Sequence, residues 1–160
     1  MTAIDPASRN IEVARDHAAK SGLAIEYRCA STETLVTEGA VFDVVLAMEV
    51  IEHVSDAGNF LHQASAMVRP GGMLAAATLN RTLKSFAFAI VGAEYVLRWV
   101  PRGTHTWSQF VTPQELAKAL RGAGLHIKDE TGVVYDPLTG KWRLSHDMDI
   151  NYVMTASRPV

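Results

Sequence analysis

The feature that most constrains the fold is an alternation of short apolar runs with segments of helical length. The run at residues 41–48 is almost continuously apolar, which is typical of a strand that is buried on both faces. Three further runs, at residues 2–5, 23–29 and 73–79, alternate with helical patterns that follow Pro6 and Asn59. This alternation predicts an α/β fold, in which helices cover a sheet.

Glycine, proline and capping residues predict where several elements end. Ser21-Gly22 is expected to stop the first helix, and the RPGG segment at residues 69–72 to stop the second helix before the next strand. Thr112 is expected to be the N-cap of a helix that begins at Pro113. The remaining expected elements are strands at residues 125–135 and 149–156, with turn residues at 137–140.

Composition limits the location and the partners of the protein. A chain of 160 residues suffices for one ordinary globular domain. Its 15 Lys and Arg residues and 17 Asp and Glu residues give a net charge of -2, which argues against nucleic acid as a partner. A single cysteine, Cys29, cannot form an internal disulfide, and residues 1–5 lack the features of a signal peptide. We therefore expect a reducing, intracellular environment, with Cys29 as a small core residue.

A cluster of ionisable residues follows the apolar run at 41–48. If a helical turn begins there, spacings of three and four residues place Glu49, Glu52 and His53 on one face. Carboxylates and an imidazole suit Mg²⁺, Mn²⁺ or Zn²⁺ as a bound ion. The same residues could instead provide a general base, with Glu52 orienting His53, or only hold the loop by hydrogen bonds.

Two strand ends are candidate ligand-binding positions. Asp5 ends the first strand at the carboxyl edge of the sheet, where a carboxylate can accept both hydroxyls of a ribose. The alternative is that Asp5 caps the helix that follows Pro6. Met48 ends the run at 41–48, where it either lines a ligand pocket or belongs to the core.

An apolar segment at about residues 81–107 interrupts the alternation of elements. A helix that spans a bilayer needs about 20 apolar residues, and charged residues divide this segment before that length is reached. Its basic residues are Arg81, Lys84, Arg98 and Arg102, against the one acidic residue Glu94, so its charge is +3. Basic residues beside an aromatic-rich apolar surface predict docking on anionic lipid headgroups, and the alternative is a lid helix packed on the domain.

Several motifs then follow one another in a recognisable order. They are Asp5 after a strand, FDVV at 42–45, MEVIEHV at 48–54, VRPGG at 68–72, TLNR at 78–81, VGAEY at 91–95, PRGTHTW at 101–107 and DINY at 149–152. Together they resemble the ubiquinone-biosynthesis O-methyltransferases, a class I S-adenosylmethionine-dependent family. The resemblance spans nearly all 160 residues, and its most specific parts are the apolar insertion and the segment at 101–107.

The resemblance implies a Rossmann-like class I methyltransferase sheet with helices on both faces. Members of the family begin with helices and a first strand that runs into a glycine-rich loop, whereas residue 1 here corresponds to their second strand. We therefore expect an N-terminally truncated enzyme, a partial methyltransferase domain over residues 1–160 that lacks the first strand and its loop and binds the cofactor weakly. The alternative is that residue 1 is a true start and that the chain needs a partner polypeptide.

The resemblance also implies roles for the candidate residues. S-adenosylmethionine would be the cofactor, with Asp5 at its ribose and Met48 at its adenine. Glu49, Glu52 and His53 would activate the acceptor hydroxyl, either as ligands of Mg²⁺ or another divalent metal or through a general base. His105, in the loop before Trp107, would help to enclose an aromatic substrate, and the alternative for a lone loop histidine is a surface position.

The implied activity is O-methylation of polyprenylated catechol or hydroxyphenol intermediates of ubiquinone biosynthesis. The implied location is the cytoplasmic face of the inner membrane, or the matrix side in a mitochondrion, next to other ubiquinone-biosynthesis proteins. Two alternatives remain open. One is a non-catalytic module that binds a membrane or a partner, and the other is a methyltransferase for another small phenol.

Overall fold

The computed structural model describes residues 1–87, 106–136 and 139–160. The chain divides into two compact units, Met1–Ala40 and Val41–Val160. Both units combine strands with helices, so the predicted α/β class is confirmed.

The first unit is a strand–helix–strand arrangement followed by a short helix. Its elements are β1 (Thr2–Asp5), α1 (Ser8–Lys20), β2 (Glu26–Cys29) and α2 (Thr32–Thr37). β1 and β2 are parallel, and α1 contacts both strands. Ile11 and Ala18 form the buried side of α1, which ends at Ser21. Gly22 follows with a φ of 65°, a conformation that glycine adopts readily, so the predicted stop signal is confirmed.

Two predictions for this unit are wrong in detail. β2 begins at Glu26 rather than at residue 23, because Leu23 still belongs to the turn after α1 and its N–H donates to the carbonyl of Ala18 at 2.9 Å. Cys29 is exposed rather than buried. It ends a strand of a two-stranded sheet, and its Sγ donates to the carbonyl of Pro6 at 3.4 Å.

The second unit contains a five-stranded mixed sheet. Its elements are β3 (Phe42–Met48), a 3₁₀ turn (Ile51–His53), α3 (Ala57–Ala66), β4 (Val68–Leu79), α4 (Leu83–Ser85), a 3₁₀ turn (Trp107–Gln109), α5 (Pro113–Gly122), β5 (His126–Asp136), β6 (Lys141–Ser145) and β7 (Asn151–Ser157). The strand order is β3-β4-β7-β5-β6. β3 and β4 are parallel and the other neighbours are antiparallel, so the carboxyl ends of β3 and β4 meet at one edge of the sheet.

The two faces of this sheet are packed differently. Leu74, Ala76 and Met154 lie on one face and are fully buried in a core that they share with α3 and α5. Val44 and Leu46 lie on the opposite face and are 49% and 59% exposed. Alternation along the strands therefore directs one set of side chains into the core of this unit.

The RPGG segment is part of β4 and is not a turn in front of it. α3 ends at Ala66, ahead of the RPGG segment that is expected to stop it, so this prediction is wrong, and the chain is extended from Val68 onwards. Phe42 pairs with Val68, and the register then shifts, so residues 69–72 form a bulge in β4. A Cβ on Gly72 would lie 2.8 Å from the carbonyl oxygen of Asp43, so the close approach of the two strands requires glycine.

The C-terminal part shows one confirmed prediction and one omission. Thr112 and Glu115 form a reciprocal capping box at the start of α5, which confirms the predicted helix start. β6, which pairs with β5 beyond the turn at Gly140, was not predicted from the sequence. Four of its five residues are exposed, so it lacks the apolar pattern by which a buried strand is recognised.

Candidate functional site

Glu49 follows β3 directly and has an unusual backbone conformation. Its φ is 51°, and no other non-glycine residue in the described ranges has a positive φ. Its N–H donates to the carbonyl of Ala77 on β4 at 2.9 Å, which extends the pairing of the two strands to this residue. Such conformations cost about 1–3 kcal/mol and are frequent at functional sites. Geometry alone therefore makes Glu49 a candidate functional residue.

Glu52 lies in the 3₁₀ turn that follows, and its carboxylate is buried. Ile51, only 1% exposed, packs into the core and fixes the turn. Glu52 is 2% exposed, and its Oε2 accepts a hydrogen bond from Oγ1 of Thr78 at 2.6 Å. A buried carboxylate needs such donors, because an uncompensated charge is costly in a protein interior.

The carboxyl groups of Glu49 and Glu52 interact with each other. Glu49 keeps an exposed surface, yet neighbouring atoms desolvate its carboxyl group. This desolvation, the charge of Glu52 and a hydrogen bond between the two side chains raise the pKa of Glu49 to about 7. A carboxyl group that titrates near neutral pH is suited to proton transfer.

His53 has different surroundings from its neighbour Glu52. It is exposed whereas Glu52 is buried, so the three side chains do not share one face as expected. Three residues per turn direct consecutive side chains about 120° apart, which separates His53 from Glu52. Within the described parts of the chain, no three His, Cys, Asp or Glu side chains gather in a group that could hold a metal ion. The roles of Glu49, Glu52 and His53 as base or as metal ligands stay predictions.

Asp5, at the carboxyl end of β1, is surrounded by hydrogen-bond donors. Its Oδ1 accepts from the backbone N–H of Ala7 at 2.7 Å, and its Oδ2 accepts from Nδ2 of Asn10 at 3.0 Å. Asp5 therefore orders the turn that leads into α1, although Ala7 and not Asp5 is the N-cap residue. Each carboxylate oxygen has a second lone-pair site, so Asp5 can still accept ribose hydroxyls. This ribose role stays a prediction.

Met48 is the last residue of β3 and lies opposite Ala77 of β4. It is 50% exposed, which distinguishes it from the core residue Ala47 before it. Its side chain is thus available to a ligand at the carboxyl end of the sheet, and its contact with adenine stays a prediction.

Most of the predicted insertion, including His105, lies outside the described residues. Two of its basic residues are ion-paired: Arg81 with Glu115, and Lys84 with Asp147 and Asp149. These pairs reduce the positive charge that the two residues present to an anionic surface. In the described ranges, no helix has the length and apolar character needed to cross a membrane.

A groove of about 390 Å³ lies beside α3 and α5 in the second unit. Ile51, Phe110 and the ion pair of Arg81 with Glu115 contribute to its lining. None of the predicted site residues that the structure describes lines it.

Thr78, whose hydroxyl donates to the carboxylate of Glu52, is a site residue that the sequence pattern did not predict. Thr78 lies one residue before the end of β4, the strand parallel to β3. One feature of the sequence could have identified Thr78. It is a polar residue near the carboxyl end of an apolar run, and ligands bind at this end of the strands in open α/β sheets.

Comparison with known proteins supports the fold. The family model described as "Methyltransferase domain" matches residues 1–76. A solved S-adenosylmethionine-dependent methyltransferase from Methanosarcina mazei has a TM-score of 0.67 at 17% identity and covers 99% of this chain and 82% of its own. An N-methyltransferase from Bradyrhizobium japonicum, solved with S-adenosyl-L-homocysteine, has a TM-score of 0.63 at 16% identity. The match covers 99% of this chain and 66% of that protein. The chain therefore has the class I methyltransferase fold that the sequence predicts.

Curated relatives are much more similar in sequence. The ubiquinone biosynthesis O-methyltransferase of Methylocella silvestris is 66% identical over 158 residues, which are 99% of this chain and 62% of that protein. The protein of the same name from Methylobacterium nodulans is 57% identical over 160 residues, which are 100% of this chain and 64% of that protein. The chain spans less than two thirds of the length of these relatives. As its motifs predict, the chain is similar to ubiquinone biosynthesis O-methyltransferases along the part of their length that it spans.

Proposed function

We propose that this chain takes part in S-adenosylmethionine-dependent O-methylation of polyprenylated catechol or hydroxyphenol intermediates in ubiquinone biosynthesis. The support from sequence is its similarity to proteins of that name along the part of their length that it spans. The observation that carries the proposal is Glu49, whose backbone has a positive φ and whose carboxyl group has a pKa of about 7. It lies at the carboxyl end of a parallel strand, where ligands bind in open α/β sheets.

Asp5 and Met48 are the described residues that fit the cofactor. When bound, S-adenosylmethionine supplies an electrophilic methyl group. The carboxylate of Asp5 keeps acceptor sites for the ribose hydroxyls beyond its bonds to Ala7 and Asn10. The half-exposed side chain of Met48 offers a polarisable apolar surface to the adenine.

The acceptor hydroxyl must lose its proton, because a phenol with a pKa of about 10 is mostly protonated at neutral pH. The carboxylate of Glu49 would accept this proton as the hydroxyl oxygen takes the methyl group, while the carbon–sulfur bond of the sulfonium breaks and leaves a neutral thioether. A base is most effective when its pKa lies near the working pH, which the pKa of about 7 satisfies. Glu52 holds Glu49 from the buried side, and His53 is the second candidate base.

A divalent ion on Glu49, Glu52 and His53 is the alternative way to activate the hydroxyl. The described geometry does not fit such an ion, because Glu52 is buried against Thr78 whereas His53 is exposed. Methyl transfer that persists in EDTA would support Glu49 as the base. Loss in EDTA and recovery with Mg²⁺ or Zn²⁺ would support the metal instead.

Membrane docking through residues 81–107 is part of the proposal, because a polyprenylated acceptor resides in lipid. It would place the protein peripherally on the inner membrane face, within reach of other ubiquinone-biosynthesis proteins. Arg98→Glu should weaken binding to anionic vesicles by about 1 kcal/mol per lost charge, and Trp99→Asp should weaken it at every salt concentration. Lys84→Glu is a poor probe, because it also breaks the pairs with Asp147 and Asp149. Equal binding of wild type and both variants would contradict docking.

The proposed function is tested on the complete gene product with labelled S-adenosylmethionine and a polyprenylated catechol in vesicles. We expect transfer of the label to the catechol oxygen. Cofactor binding in isothermal titration without transfer to any phenol would favour a non-catalytic module. Transfer to small soluble phenols but not to the polyprenylated one would favour a methyltransferase for another phenol.

A further inference from the structure

We propose that Thr78 is a positioning residue for the carboxylates that act on the acceptor. Its hydroxyl holds the carboxylate of Glu52, and Glu52 in turn holds Glu49. The proposal deepens the proposed function and rests on it, because it assigns a kinetic role to a side chain that does not itself meet the substrate.

The position of Thr78 explains why its hydroxyl needs a partner. Alternation along β4 places Thr78 on the same face as Leu74 and Ala76, and all three are 0% exposed. This face packs into the apolar core that the strands share with α3 and α5. Valine would fill the same volume and suits a strand equally well, so the shape of the site does not require threonine. The hydroxyl is what distinguishes the two residues here.

The bond that this hydroxyl makes is short and enclosed. Oγ1 of Thr78 lies 2.6 Å from Oε2 of Glu52, within the range of a charge-assisted O–H···O⁻ bond. Glu52 is 2% exposed and has no ion pair with any described residue. An exposed carboxylate would accept hydrogen bonds from water. One oxygen of this buried carboxylate instead accepts a hydrogen bond from the neutral hydroxyl of Thr78.

The link continues from Glu52 to Glu49. The carboxyl group of Glu52 raises the pKa of Glu49, so the two groups interact, and the N–H of Glu49 donates to the carbonyl of Ala77, the residue before Thr78, at 2.9 Å. β4 thus contacts both glutamates through consecutive residues. Without the hydroxyl, the carboxylate of Glu52 would rotate or recruit water, and the direction of Glu49 would no longer be fixed.

A purely structural role and a positioning role predict different kinetics. If the hydroxyl only satisfies a buried group, Thr78→Val lowers the free energy of unfolding and leaves the kcat of the folded enzyme unchanged. If it positions the carboxylates, Thr78→Val lowers kcat, because a displacement of about 1 Å in a catalytic group costs up to about a hundredfold. The KM for the phenol and the Kd for S-adenosylmethionine then stay nearly unchanged.

The test measures methyl transfer by the complete gene product as wild type, Thr78→Val and Thr78→Ser. Thr155→Val is the matched control, since Thr155 lies on β7 of the same sheet, on the opposite face. We expect Thr78→Val to lose kcat at least about tenfold with KM and Kd within about twofold, and Thr78→Ser to stay within about threefold of wild type. Thr155→Val should retain wild-type kcat.

Three results would overturn the proposal: an unchanged kcat in Thr78→Val, an equal loss in Thr78→Ser, or an equal loss in Thr155→Val. Thermal unfolding of each variant confirms that folded protein is being compared. If Thr78→Val does not fold, Thr78→Ala replaces it under the same criteria. If the wild type itself transfers no methyl group, the proposed function fails and the role of Thr78 falls with it, whereas an active wild type with an unaffected Thr78→Val rejects the role of Thr78 alone.

Discussion

Asp5 and Glu49 are both acidic residues at the end of a parallel strand, one in each unit, but their surroundings are opposite. Asp5 accepts hydrogen bonds from the N–H of Ala7 and the side-chain amide of Asn10. Glu49 has a second carboxylate, that of Glu52, as its neighbour and has a φ of 51°. Two carboxyl groups at the carboxyl ends of strands therefore have different chemical surroundings.

This difference determines which chemical role each residue is suited to. Donors around Asp5 hold its carboxylate in place and leave lone pairs for the hydroxyl groups of a ligand. The carboxylate of Glu52 beside Glu49 favours a bound proton on Glu49, so Glu49 can take up and release a proton near neutral pH. We therefore propose that binding and proton transfer belong to different carboxylates, so substitutions at the two sites should affect different kinetic constants.

The largest expected effect is the loss of methyl transfer in Glu49→Ala. Removal of a general base lowers kcat by about 10²–10⁴-fold, while the Kd for S-adenosylmethionine should change less than about threefold. Glu12→Ala, an exposed glutamate on α1, is the control and should remain fully active. A Glu49→Ala enzyme with near-normal kcat and weakened cofactor binding would reverse the assignment.

Asp5→Ala should produce the complementary pattern with a smaller energetic effect. Loss of charge-assisted hydrogen bonds to the ribose, at about 1.5–3 kcal/mol in total, should weaken S-adenosylmethionine binding about 10–100-fold, measured by isothermal titration. The kcat at saturating cofactor should stay within a few-fold of wild type. Asn10→Ala removes a neighbour and keeps the carboxylate, so it should weaken binding less. Equal losses in both variants would indicate that Asp5 only orders the turn.

The smallest expected effect is on stability and depends on pH. A pKa of Glu49 raised from 4.5 to about 7 means that the folded state binds the extra proton, so stability falls as pH rises through this window. Glu49→Gln removes this loss and should raise the free energy of unfolding above pH 7 by about 1 kcal/mol, a value reduced by solvent screening of the exposed side chain. Below pH 4.5 the two proteins should be equally stable. Urea unfolding at pH 4 and pH 8 measures the difference, and a gain that is equal at both pH values would exclude titration as its cause.

Local sequence signals predict much of the fold. Three correct predictions depend only on residues that are close in sequence. They are the continuous apolar run of β3, the Ser21-Gly22 stop of α1 and the Thr112–Glu115 capping box of α5. β6 escaped prediction because its exposed residues have no core face to mark them. The RPGG segment was misread as a helix stop, because α3 ends before it and the segment forms a bulge in β4, which depends on the partner strand.

The candidate site was predictable in its residues but not in its geometry. Sequence spacing identified Glu49, Glu52 and His53, but Glu49 lies outside the 3₁₀ turn with a positive φ, so its contact with Glu52 does not follow from helical spacing. The separation of Glu52 from His53 depends on which side chain the core encloses, and the sequence does not state this. Thr78 is 26 residues from Glu52, so only the parallel pairing of β3 and β4 brings the two together.

The central claim, that Glu49 takes the proton from the acceptor hydroxyl, is tested most directly by changing the acidity of the acceptor. Wild type and Glu49→Gln of the complete gene product are compared on a polyprenylated catechol and on the same catechol with an electron-withdrawing group that lowers its pKa below 7. The acidic catechol is already ionised at pH 8 and needs no base. We expect a defect of Glu49→Gln of about a hundredfold or more on the ordinary catechol, shrinking to less than about tenfold on the acidic one. An equal defect on both acceptors would contradict the claim.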